Sequence, residues 1–87
     1  MANVDVTFVS HIDYSEMDAD LDDAQTAEQV IQALIAERFI QANTDPNRYY
    51  TLTIKGRSQV AEGQTLAAAG VQNGDRIIVS VAQRGGV

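Results

Sequence analysis

Residues 65–86 read Thr65-Leu66-Ala67-Ala68-Ala69-Gly70-Val71-Gln72-Asn73-Gly74-Asp75-Arg76-Ile77-Ile78-Val79-Ser80-Val81-Ala82-Gln83-Arg84-Gly85-Gly86, and Val87 follows. Thr65 to Gly70 reads as a single helical turn closed by glycine. Asn73-Gly74-Asp75 is a turn signal, and Arg76 to Ala82 alternates as a strand with Ile77, Val79 and Val81 inward. That strand runs straight into Arg84-Gly85-Gly86. Two successive glycines lack two Cβ atoms, so the backbone there fits a channel too narrow for any side chain. Such a tail can be threaded into another protein's active site.

Working back toward the N-terminus, Tyr50, Leu52 and Ile54 alternate with Tyr49, Thr51, Thr53 and Lys55 as a strand that turns at Gly56. Gln59-Val60 supplies a short further strand. Pro46 lacks an amide hydrogen and biases Asp45 away from helical geometry, which makes residues 41–47 a loop. Upstream of it, Thr26-Ala27-Glu28-Gln29 has the form of a capping box, which starts a helix at Ala27. Ala27, Val30, Ile31, Leu34 and Ile35 form its apolar stripe, and Phe39 and Ile40 beyond it are assigned to the core. Val4, Val6 and Phe8 alternate as a first strand, and Met17, Ala19 and Leu21 as a second, paired antiparallel with it through a tight connection.

Glu16, Asp18, Asp20 and Asp22 share the other face of that second strand. An EF-hand loop starting at Asp18 would need Gly at position 23 and Glu at position 29, where Asp23 and Gln29 stand, so the acidic row reads as a solvated face. The element order is β-β-α-β-β-short helix-β, an α+β domain with a four- to five-stranded mixed sheet packed on one helix. Residues 1–83 form the domain and residues 84–87 a flexible diglycine tail.

At 87 residues the chain is one domain with one small core. Its net charge of −6 makes nucleic acid and anionic membranes poor partners and basic protein surfaces better ones. The absence of cysteine removes disulfides, thiolate metal sites and thiol nucleophiles. No signal peptide or membrane span is expected, and the default location is cytoplasmic. Ser10 and His11 are neighbours on a strand and face opposite ways, so no triad is built from them and the chain is not expected to be an enzyme. Phe39, Ile40, Tyr49 and Tyr50 around the loop give an expectation of self-association.

The element order, the Thr26-Ala27-Glu28-Gln29-Val30 helix start, the Leu52-Thr53-Ile54-Lys55-Gly56 strand end and the gapless residues 65–86 together resemble ubiquitin and its β-grasp relatives. Thr65, Leu66, Gln72, Arg84, Gly85 and Gly86 match ubiquitin, and Val71, Ile77, Val79 and Val81 match in kind. The chain looks most like bacterial ubiquitin-like modifiers of ubiquitination-like operons, a class tied to antiviral defence. The resemblance implies that Gly86 is the glycyl donor, with Arg84 and Gly85 in the tail, and that a processing peptidase removes Val87. It further implies an ATP-dependent activating enzyme, a conjugating enzyme and a target protein as partners, with no cofactor of the chain's own.

Thr53 and Ser80 stand at outward strand positions where the family carries its apolar receptor patch, and Ala82 replaces an arginine that selects the activating enzyme. Lys55 is the one lysine and hence the one side-chain acceptor for an isopeptide bond. Two other functions fit the same residues: a sulfur carrier with a C-terminal thiocarboxylate, and a non-conjugating β-grasp interaction module such as the ubiquitin-like components of bacterial type VII secretion systems.

Overall fold

A computed structural model describes residues 3–11, 13–42, 46–61 and 63–83. The elements run β1 (Asn3–Ser10), β2 (Glu16–Asp22), α1 (Ala27–Ala36), β3 (Arg48–Ile54), β4 (Gln59–Val60), α2 (Leu66–Ala69) and β5 (Arg76–Gln83). They build a five-stranded mixed sheet of order β2-β1-β5-β3-β4, in which β1 and β5 are parallel and the other pairs antiparallel. This is the expected α+β β-grasp arrangement, with the last strand central.

Alternation decides which face is buried. Val4, Val6 and Phe8 of β1, Leu52 and Ile54 of β3, and Ile77 and Val79 of β5 all point to the helix side, where Val30 and Leu34 of α1 close over them. Leu66 and Val71 fill the core from the α2 side. β2 contributes only half-buried Met17, Ala19 and Leu21, because it is the outermost strand on that edge.

Both helices begin on a threonine. Gln29 N–H donates to Thr26 Oγ1 at 3.3 Å while Thr26 N–H donates to Gln29 Oε1 at 2.9 Å, completing the capping box. Ala68 N–H donates to Thr65 Oγ1 at 3.1 Å in the same way. The two caps are themselves bridged, Thr26 against Thr65, so one short ladder fixes where both helices start.

The helix ends are alike as well. At α2, Gly70 takes φ +82° and Val71 N–H donates to the Leu66 carbonyl, bringing Val71 into the core. At α1, Arg38 takes φ +62°, its N–H donates to Ile35 O, and Phe39 N–H donates to Leu34 O. Those two bonds define a Schellman end with arginine in the left-handed position. The reversal swings Ile40 into the core and leaves Phe39 half-buried against it.

One expectation needs correction. Val81 keeps the face of Ile77 and Val79 by alternation, but it is 39% exposed rather than buried. The β1 partners of β5 stop at Ser10 opposite Val79, so among the described residues only β3 pairs with β5 at Val81. The β1–β2 connection also has more structure than a plain tight turn. Tyr14 adopts φ +59°, and Ser15 N–H donates to Asp13 Oδ1 at 3.1 Å, which holds the Asp13 carboxyl below its ordinary range.

Leu34→Ala is expected to destabilise the fold by about 2 to 5 kcal/mol, and the exposed Asp20→Ala to stay within about 0.5 kcal/mol. Arg38→Gly is expected to stabilise by about 0.5 to 1 kcal/mol, since glycine takes the left-handed conformation without steric penalty. Urea denaturation of the three variants measures all of this. A destabilising Arg38→Gly would show that the arginine side chain, not the backbone, governs that turn.

Candidate functional site

β5 delivers the tail. It stays paired with β3 as far as Gln83 opposite Arg48, and residues 81–83 are exposed or half-buried. The conjugation residues expected from the sequence, Arg84, Gly85 and Gly86, and the processing position Val87 lie outside the described residues. What the fold determines is where the chain leaves the sheet: at the Arg48 end of β3.

Lys55 sits at the opposite end. It follows β3 directly, is exposed, and its N–H donates to Arg76 O at 2.9 Å, so it stands beside the start of β5. From Arg76 to Gln83 the strand covers roughly 23 Å, whereas Arg84 to Gly86 extend at most about 11 Å. Adding the lysine side chain does not close that gap. A Gly86–Lys55 bond within one molecule is therefore out of reach, and Lys55 is an acceptor only toward another molecule.

The Arg76 end is tied down. Gly74 N–H donates to Asp5 O at 2.7 Å, Asp5 N–H to Asn73 Oδ1 at 2.8 Å, and Thr7 N–H to Asp75 O at 3.0 Å, so the Asn73-Gly74 turn is fastened along β1. Arg57 reaches across from the β3–β4 turn to the Gly70 carbonyl at 2.8 Å and to the Asp75 carboxylate.

The outer face of the sheet, away from α1, divides in two. Toward β2 it carries Glu16, Asp18, Asp20 and Asp22, opposite Val9, Thr7, Asp5 and Asn3. Thr7 Oγ1 donates to Asp18 Oδ1 at 2.6 Å, and Arg76 pairs with Glu16 at 2.7 Å. Among the described residues no group of three or more His, Asp or Glu is arranged to hold a metal ion. Toward β3 the face is neutral. Thr51 and Ser80 share a hydroxyl hydrogen bond of 2.9 Å, and Thr53 lies beside them.

Two residues of this face were missed by sequence reasoning. Ile78 pairs with Thr53 on one side and Val9 on the other, a half-buried aliphatic pair running into a threonine methyl. The signal was present: once Ile77 and Val79 are inward, Ile78 must face out, and period two puts Val9 opposite Phe8. Thr53 and Ser80 lie on this outer face as expected from alternation, and beside them it is aliphatic at Ile78 and Val9.

The catalytic pairing excluded from sequence is divergent here. Ser10 is buried while His11 is exposed. Among the described residues no helix is long and apolar enough to cross a membrane.

Comparison with known proteins gives four findings. A family model described as "WXG100 protein secretion system (Wss), protein YukD" matches residues 3–79, which spans β1 to the first half of β5. Comparison with curated proteins finds no match. Among solved structures, ubiquitin of Caldiarchaeum subterraneum aligns with a TM-score of 0.71 at 22% identity, covering 98% of this chain and 100% of that one. A de novo protein designed on the basis of ubiquitin aligns with a TM-score of 0.73 at 10% identity, covering 98% and 95%. At those identities the likeness is one of fold.

Acylation of the full chain with an amine-directed reagent is expected to modify Lys55 completely and to shift stability by no more than about 0.5 kcal/mol, because its side chain is exposed. Peptide mapping and thermal unfolding read the result. A protected Lys55, or a large loss of stability on its acylation, would contradict the placement.

Proposed function

The chain belongs to the YukD family, and from that premise we propose that it works as a non-enzymatic, ubiquitin-like interaction unit of a WXG100-type secretion system. The observation that carries the reading is that the family match takes in β1 to β4, both helices and the first half of β5, as far as Val79. The neutral outer face around Val9, Ile78, Thr51 and Ser80 is the surface it offers to a protein partner. Its acidic border at Glu16, Asp18 and Asp20 favours a partner with a basic margin.

A second reading has its own observation. Arg84-Gly85-Gly86 follows the end of β5 with no intervening segment, and the family match stops short of it. In this reading Val87 is removed, Gly86 is activated with ATP by a dedicated activating enzyme, and its carboxylate passes to a conjugating enzyme and a target amine. Donor and acceptor then belong to different molecules, since Lys55 lies at the far end of the sheet. A thiocarboxylate on the same glycine would make the chain a sulfur carrier, but no residue of the folded part favours that variant.

One experiment separates the readings. The full chain, tagged at its N-terminus, is recovered from the cells that make it, with and without a denaturing wash. The interaction unit predicts partners that leave in denaturant, weakened binding by Ile78→Arg, and an intact mass that retains Val87. Adducts that survive denaturant and vanish with Gly86→Ala would overturn it in favour of conjugation.

A further inference from the structure

Asn73-Gly74 is the one asparagine–glycine pair in the chain, since the other asparagines precede Val4, Thr44 and Arg48. A glycine nitrogen has no adjoining side chain to shield it, so in an open chain it attacks the side-chain carbonyl carbon of a preceding asparagine more readily than any other residue does. The fold calls for both members of the pair. A Cβ added at Gly74 would meet nothing within 4 Å, so the φ of +86°, rather than space, is what requires glycine there. Asn73 is required for its side-chain oxygen.

That oxygen continues a ladder. Thr7 N–H donates to Asp75 O at 3.0 Å, and by period two the next residue of β1 to aim its backbone groups the same way is Asp5. There the chain leading into β5 has turned, and Asn73 Oδ1 stands in for a main-chain carbonyl, accepting from Asp5 N–H at 2.8 Å. Gly74 N–H donates to Asp5 O at 2.7 Å. The nitrogen that would attack and the amide that would be attacked are therefore both held by one residue. On its other side Asp5 pairs with Asp20, two exposed carboxylates directly opposite each other, which weakens the start of the β1–β2 pairing.

We propose that Asn73-Gly74 is a self-modification site that the Asp5 clasp keeps closed and that reacts when the start of β1 opens. Solvent hydroxide takes the proton from Gly74 N, which bonds to Asn73 Cγ. The Cγ–Nδ2 bond breaks and ammonia leaves with a proton from water, giving a cyclic imide. Water then adds to either imide carbonyl and opens the ring to an aspartyl or an isoaspartyl residue. The aspartyl product keeps a side-chain acceptor for Asp5 N–H. In the isoaspartyl product the main chain runs through Cβ and Cγ, so Gly74 N is displaced along the chain and the bonds to Asp5 N–H and Asp5 O cannot re-form together. Either product adds a carboxylate beside Asp75 in a chain that already carries −6. The isoaspartyl residue thus makes a transient opening permanent. The site uses neither the Val9–Ile78 face nor the tail, so it stands or falls independently of the reading above.

The test incubates the full chain at mildly alkaline pH with and without urea and maps it with trypsin, which releases residues 58–76 with Asn73 as their sole asparagine. The urea-unfolded chain is expected to deamidate at Asn73 faster than at any other asparagine, and the folded chain to do so at least about tenfold more slowly. Val4→Ala removes burial that is lost when the start of β1 opens, and it is expected to speed the reaction of the folded chain roughly three- to tenfold. Val60→Ala, a like truncation in β4, is expected to change that rate by less than about twofold. The isoaspartyl form, separated by chromatography, is expected to lose hydrogen-exchange protection at the Asp5 and Gly74 amides and to keep it at the buried Phe8 and Leu52. Equal rates with and without urea would overturn the proposal, as would an unfolded chain in which Asn73 reacts no faster than the other asparagines. Equal acceleration by the two valine variants, or an isoaspartyl form with Asp5 still protected, would overturn it as well.

Discussion

The parallel pairing of β1 with β5 is the constraint on which the remainder rests. It joins Thr7–Ser10 to Arg76–Val79, with Phe8 opposite Ile77, and both of those side chains are fully buried. Parallel strands cannot be joined by a hairpin, so everything between residues 10 and 76 is the crossover that makes the pairing possible. The loop-closure entropy of bringing the two ends together grows only slowly with that length, but it must be met before any contact between them forms. The fastening of Asn73-Gly74 along Asp5 and Thr7 meets it in register, just ahead of the strand.

From that pair the layers follow. β2 and β3 each add to one side, and a sheet with one apolar face then needs a single amphipathic helix to close it. The two bridged threonine caps decide where α1 can lie, because moving Thr26 would also move Thr65 and the α2 turn that carries Leu66. In a domain this small, joining the helix starts to each other makes local capping part of the tertiary structure.

Much of this was legible in the sequence because the relevant residues announce their own geometry. Period-two alternation gave the inward faces of β1 and β3, the Thr26–Gln29 spacing gave the start of α1, and Gly70 gave the end of α2. The end of α1 used the same hydrogen-bond pattern without the signal, since Arg38 holds the left-handed position that a glycine would have marked. The exposure of Val81 was missed for a different reason: alternation tells which face a side chain takes but not whether that face is covered along the whole strand. Ile78 was readable and overlooked, since its outward face follows from the inward faces of Ile77 and Val79.

The two edges of the sheet are handled by different means. β2 carries Glu16, Asp18, Asp20 and Asp22 along its outer face, and charge of one sign on an edge strand discourages a second sheet from pairing there. The other edge has no such row, and β4 covers less than half of β3. There the half-buried Ile31 and Ile35 of α1 line one groove with Tyr50 and Leu52, so aliphatic helix side chains rather than carboxylates border the strand. The acidic edge is set by the outward alternation of β2, whereas the other is set by how the α1 stripe overhangs β3.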